Sequence, residues 1–334
     1  MNVYRSTIFA VGLLLASVHL FPLAAQSSAA GTWVTPRTEW GHPDLQGSWT
    51  NTTLTPLERP EGFGPFATRE EAARIAAMQA EQLDAGLNTG VGTYDAVYID
   101  AADDLASIDG QLRSSMIVDP PDGRVPPLTA EAQERIAAQR AFRGGFGQYD
   151  NPENRPLAER CFVSFGSNAG PPMTPNGAYN NNYTIVQNRD HIMIVTEMVH
   201  DTRIIRLGDP EPLPEQMRPW FGDSWGTWEG DTLVVETTNF HPLQQYRGIP
   251  TDNLKVTERF HRSDERTILY RFTVEDPTTY TRPWSGELPM IAFDDYLYEY
   301  ACHEGNYALY NVLRGARAQE RMQAEAAASE QGQR

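Results

Sequence analysis

From Tyr183 to Cys302 apolar and polar residues alternate with a period of two, in short runs separated by turn residues. Successive strand residues point to opposite faces, so this pattern belongs to strands with one buried and one solvated side. It predicts strands near 183–187, 191–197, 202–207, 224–229, 231–238, 254–262, 267–275, 284–291 and 296–302. The clearest hairpin is Trp225–Phe240, where two tryptophans lead into Gly230-Asp231 and a Thr/Val-rich run follows. Gly-Asp suits a tight turn, and β-branched residues suit a pleated surface. Links are hairpin-length except for the Pro-rich stretch 208–220 and the stretch 239–253. Such a train predicts a mainly β fold: an antiparallel meander closed into a lipocalin-like barrel, with an open β-sandwich as the alternative.

Upstream the period is different. Residues 31–66 are rich in Pro, Gly, Thr and Trp, and predict an extended wrapping segment with Pro43–Trp49 as its one strand-like anchor. Thr68-Arg69-Glu70-Glu71 is a capping box, opening a helix to about Asp84 with Ala72, Ile75, Ala76 and Leu83 on one face. Residues 85–113 read as loop, and Met116-Ile117-Val118 as a short strand closed by Asp119-Pro120-Pro121-Asp122-Gly123. Thr129 caps a second helix to about Phe142. The glycine-rich stretch after it, Arg143–Gly147, lacks the spacing of a phosphate loop and follows no strand. From Arg314 onward an Ala/Glu/Gln-rich tail predicts a polar helix. The expected organisation is a wrapping region over 31–160, a barrel over 161–313 and a tail over 314–334.

Residues 1–25 read as an export signal. Arg5 forms a short positive region, Ile8–Val18 is apolar, and small residues from Ala24 to Ala30 place cleavage between 25 and 30. No later segment reaches the ~20 apolar residues that span a bilayer, so no stable membrane insertion is expected. The expected location is periplasmic or secreted. A formal net charge of -17 repels nucleic acid and anionic lipid but says nothing positive about a ligand, since solubility alone explains an acidic surface; the expected partner is a small molecule. The two cysteines, Cys161 and Cys302, are an even, low count in an exported chain and predict one disulfide. Closing so long a loop stabilises by ~4 kcal/mol in the chain-entropy model.

Candidate chemistry comes from charged residues at positions where alternation predicts burial. On 254–260 the inward face is Leu254, Val256, Glu258 and Phe260. On 296–303, if Leu297 and Ala301 face inward, so do Glu299 and His303. Over 231–240 either Leu233, Val235, Thr237 and Asn239 point in, or Thr232, Val234, Glu236 and Thr238 do. A buried carboxylate is either paired or raised in pKa, and the raised case suits acid–base catalysis. The structural alternative for Glu258 is an ion pair with Arg203, Arg259 or Arg271. The densest polar cluster, Glu197–Arg203, lies at a strand-to-strand turn. There His200 and Asp201 are candidates for a base and its orienting partner, and Arg203 for an oxyanion or carboxylate clamp. Trp228, Glu236, Asn239, Tyr270 and Phe272 are the candidates to line a ligand site. His200, His241, His261 and His303 could join a metal site, but no pair has helical metal-ligand spacing, and no metal or other cofactor is expected. No GxSxG elbow is present for a serine hydrolase.

The stretches Pro43–Trp49, Ile117–Arg124, Gly230–Phe240, Val274–Thr279 and Glu299–Tyr307 together resemble a family of uncharacterised exported bacterial proteins. The resemblance implies export and carries no activity or functional residue. The residues themselves point first to cofactor-independent acid–base chemistry of lyase or isomerase type on a small, partly apolar molecule. Glu258 and Glu299 would be acid or base, and His200 and His303 proton shuttles. The alternatives are a non-catalytic binder of a hydrophobic ligand and a metal-dependent hydrolase.

Overall fold

The computed structural model describes residues 33–87, 102–164, 169–175, 179–246, 248–250 and 252–332; the expected signal at 1–25 lies outside them. All elements belong to the unit Val34–Arg334. In chain order they are β1 (Gly47–Thr50), β2 (Phe66–Ala67), α1 (Arg69–Leu87), β3 (Ser107–Ile108), β4 (Gln111–Arg113), β5 (Ile117–Asp119), α2 (Ala130–Gly144), β6 (Asn182–Gln187), β7 (His191–Thr196), β8 (Thr202–Leu207), β9 (Asp223–Glu229), β10 (Thr232–Thr238), β11 (Gln245–Tyr246), β12 (Ile249–Pro250), β13 (Lys255–Arg262), β14 (Thr267–Glu275), β15 (Trp284–Ala292) and α3 (Tyr307–Gly332).

Nine strands close a barrel in the order β1-β6-β7-β8-β9-β10-β13-β14-β15, with β1 pairing back onto β15. A ring with an odd number of strands cannot be antiparallel throughout. The single parallel pair is β8–β9, and the expected Pro-rich stretch between them is the crossover that turns the chain round. The meander is therefore broken once, and the barrel is mixed. β5 adds a tenth strand on the outer edge of β15 at Ser285 and Gly286, while β1 covers the far end of that edge at Ile291 and Ala292.

Eight of the nine expected strands form close to their expected bounds. The ninth, 296–302, does not: the chain there is irregular, with Tyr296 and Tyr298 strongly exposed. Both neighbouring positions on β15 are already taken by β14 on one side and by β1 and β5 on the other. Just past β15, Arg266 grips Asp294 with two hydrogen bonds of 3.0 and 2.6 Å. The segment is then tied down by a Cys161–Cys302 disulfide, as the cysteine count predicts.

Alternation accounts for the interior. Val256, Glu258 and Phe260 on β13 face inward with Ile268, Tyr270, Phe272 and Val274 on β14, and Leu233, Val235 and Thr237 on β10. Of the two faces possible for 231–240, the one with Leu233, Val235 and Thr237 is buried. The turn between β9 and β10 places Gly230 at φ 62°, which glycine adopts without strain. At Gly286 a side chain would collide with the Phe272 ring, so glycine allows the close approach of β15 to β14. Aromatic rings fill the barrel: Phe260 lies 5.0 Å from Tyr270, Tyr270 5.8 Å from Phe272, and Phe272 5.8 Å from Trp284.

Outside the barrel, α1 begins at the expected capping box, with Thr68 N–H donating to Glu71 at 2.9 Å and Glu71 N–H to Thr68 Oγ1 at 3.2 Å. Thr129 caps α2 through a 3.1 Å bond from Ala132 N–H. Part of the expected loop 85–113 is instead the hairpin β3–β4, turning at Asp109-Gly110 and joined by β2. Leu105 and Leu112 pack there with Ala72 and Ile75 of α1 in a second small core.

Candidate functional site

Two polar clusters are built on the β7–β8 hairpin. The first lies inside the barrel. Arg203 on β8 donates from Nη1 and Nη2 to Glu258 on β13, at 2.6 and 3.0 Å. The Glu258 side chain is 0% exposed and that of Arg203 3%. Tyr270 Oη donates to Glu258 at 2.8 Å and accepts from the Met173 N–H at 2.9 Å. Asn51 Nδ2 donates to the Met173 carbonyl at 3.2 Å and to Tyr183 Oη at 3.1 Å. Burial, then the Glu258 charge, push the Tyr270 phenol well above its ordinary pKa. Burial works against the Arg203 charge, but the Glu258 carboxylate beside it holds its pKa above the ordinary value. The expected alternative for Glu258, an ion pair with Arg203, is thus what the fold contains. The network also has a mechanical consequence: Met173 is fully buried, and its backbone is held at both N–H and C=O.

The second cluster is the turn Glu197–Asp201 at the end of the hairpin. Val199 has φ 59° and His200 φ 36°, a left-handed conformation that is rare for a β-branched residue. The turn is held from three directions. Glu197 N–H donates to the Asn182 carbonyl at 2.9 Å, and Asn182 Nδ2 to the Glu197 carboxylate at 2.8 Å. His200 Nδ1 lies 2.9 Å from the Tyr300 carbonyl, which makes Nδ1 the protonated nitrogen. Thr196 N–H donates to the Asp201 carbonyl at 2.8 Å. The Asp201 carboxylate accepts from the Ser164 backbone N–H, while its buried Oδ2 has no hydrogen-bond partner among the described residues. Burial pushes its pKa up to about 7, against the lowering effects of the Ser164 N–H and the His200 charge. Two of the residues that meet this turn flank the disulfide: Ser164 follows Cys161, and Tyr300 precedes Cys302.

The remaining candidates are spread out. Glu299 and His303 are exposed on the irregular segment beyond β15, not on a barrel strand. The segment nevertheless reaches the rim turn through the Tyr300 carbonyl and His200. Phe272 and Tyr270 lie in the packed core with Glu258. Trp228 is half-buried, its ring 5.6 Å from His42. Glu236 pairs with Lys255 at 3.1 Å. Asn239, at φ 56°, donates to the Met217 carbonyl at 3.1 Å and so pins the crossover between β8 and β9. His241 stacks on Trp220 at 3.9 Å, and burial and the Arg218 charge lower its pKa. His261 lies 3.3 Å from Thr232 Oγ1. Among the described residues no group of three or more His, Cys, Asp or Glu side chains is placed to hold a metal ion.

Three participants carry no signal in the local pattern: Asn51, Met173 and Ser164 come from irregular segments remote in sequence. Tyr183 and Tyr270 sit on expected strands, but only the register places their hydroxyls beside Asn51 and Glu258. No family model, curated protein or solved structure matches the chain.

Proposed function

We propose that this is an exported member of the family it resembles, and that it performs cofactor-independent acid–base chemistry on a small, partly apolar molecule at the rim turn Glu197–Asp201. The observation that carries this reading is the Asp201 carboxylate. It sits on a strained turn, largely buried, with one oxygen atom unpartnered among the described residues. A carboxyl group titrating at about 7 populates both protonation states near neutral pH, as a group that takes and returns a proton must. Asp201 would remove a proton from the substrate. It would return it at another atom in an isomerase, or to the leaving group in a lyase. With its Nδ1–H committed to the Tyr300 carbonyl, the exposed His200 ring has Nε2 left to relay protons to solvent. The disulfide supports an oxidising compartment.

Glu258 has the opposite environment: it is sealed, paired with Arg203 and hydrogen-bonded to Tyr270, so its part in this reading is to hold the scaffold. The aromatic filling of the barrel likewise favours a site at the rim over a ligand held inside. The test is incubation of the mature protein with a small-molecule extract, read by mass spectrometry. Wild type should deplete at least one compound with appearance of an isomer or elimination product, and Asp201→Asn should not. Identical conversion by both proteins, or none by wild type, would reject the proposal.

A further inference from the structure

On α1, Ala72 and Ile75 are buried, and residues 79 and 82 continue the same stripe at helical spacing. A stripe that packs on a core stays apolar along its length. Here it changes to carboxamides, Gln79 and Gln82, and both line an open cleft of about 450 Å³. That volume lies within the ~300–1,000 Å³ of small-molecule sites. Opposite α1 the cleft is lined by the segment Thr53–Glu61, with Arg124 and Thr174-Pro175 completing the wall.

The charged groups of the cleft fall into two classes. Glu58 and Arg59 are committed to structure: Glu58 accepts from the Val125 N–H at 2.7 Å, and Arg59 donates to the Pro121 carbonyl at 2.7 Å. The Glu61 carboxylate and the Arg124 guanidinium line the same cleft, yet neither has an ion pair or side-chain hydrogen bond among the described residues. Elsewhere arginines of this chain recruit carboxylates, as Arg206 does Asp223 and Arg282 does Asp119. The wall is also firm. Thr174 follows Met173, whose backbone is clamped at both ends by Tyr270 and Asn51, so this side is positioned before anything binds.

We propose that this cleft binds a zwitterionic ligand, a free amino acid or short peptide, with the ligand carboxylate at Arg124, its ammonium at Glu61 and its amide groups facing Gln79 and Gln82. One unpaired charge of each sign suits a dipolar ligand; a simple anion or cation would leave one of the two unmatched. An anion would also approach against the net charge of -17. The proposal is independent of the rim turn and of any chemistry there.

The test is calorimetric titration of the full mature chain with alanine, trialanine, and trialanine acetylated at its N-terminus and amidated at its C-terminus. Alanine or trialanine should bind saturably at millimolar concentration, and the tighter of the two tells amino acid from peptide. Blocking both termini should weaken trialanine by about tenfold or more. Arg124→Met and Glu61→Gln should each weaken binding by about tenfold with unchanged thermal unfolding, since both residues are exposed. No saturable binding of either free ligand would overturn the proposal. So would equal binding of the blocked peptide, or variants that bind like wild type.

Discussion

Asp201 and Arg203 are two residues apart on one hairpin, yet one stands on an unsatisfied turn and the other in a sealed ion pair. Inside the barrel, two charges removed from water meet in a bidentate geometry, and a tyrosine hydroxyl adds a further bond to the carboxylate. The desolvation cost is offset by the paired charges, although Arg203 Nε has no partner among the described residues, and what the network delivers is position: it fixes Met173. At the rim, the backbone is strained and a carboxylate oxygen stays open. A buried charge held in a bidentate pair with an opposite charge is a structural part. A largely buried carboxylate with a partner missing is a group whose protonation state can change at working pH.

The largest effect that could break this comparison is at Glu258. Glu258→Ala should destabilise the protein by about 3–5 kcal/mol, because Arg203 would be left charged in the core. Denaturant unfolding measures it. The double replacement Arg203→Met with Glu258→Leu should recover most of that loss, since replacing both charges by apolar groups of similar volume is close to neutral. A single variant as stable as wild type would mean that the interior pair is not the closed structural unit described above.

Asp201→Asn should act in the other direction and less strongly. The native carboxyl holds its proton up to about pH 7, against an ordinary value of 3.8. Between those values the unfolded chain has released a proton that the folded protein keeps, so stability falls as pH rises through the window. Below it both states are protonated and the penalty is absent. Above it the penalty is complete, with an upper limit of about 4 kcal/mol. Removing the charge should therefore stabilise the protein at pH 8 by roughly 1–4 kcal/mol and flatten its pH dependence from 4 to 7. Unfolding curves at pH 4 and pH 8 for both proteins provide the check. A variant less stable than wild type at pH 8 would contradict the assignment.

Much of the barrel is legible in the sequence because alternation is local. Each of β6–β10 and β13–β15 carries its own inward face, and the Gly230-Asp231 turn announces its hairpin. What was not legible depends on pairing. Tyr296–Cys302 alternates as well as any true strand, but whether an edge is free for it depends on β1 and β5, which come from more than 160 residues upstream. The parallel β8–β9 pair follows from ring parity, which needs the strand count first. The Asp109-Gly110 turn was a local hairpin signal of the favoured kind, hidden by the very short strands on either side. For the site, alternation is enough to bury Glu258 and the turn pattern to draw attention to Asp201. It cannot separate their roles. That takes Arg203 arriving from a strand 55 residues away, and Ser164 leaving Asp201 incompletely satisfied.

The most direct test of the rim assignment is an NMR titration of the Asp201 carboxyl carbon in the folded protein, identified by its loss in Asp201→Asn. The midpoint should fall at about 7. A midpoint near the ordinary 3.8 would show a solvated, structural carboxylate and would remove the acid–base reading of this turn.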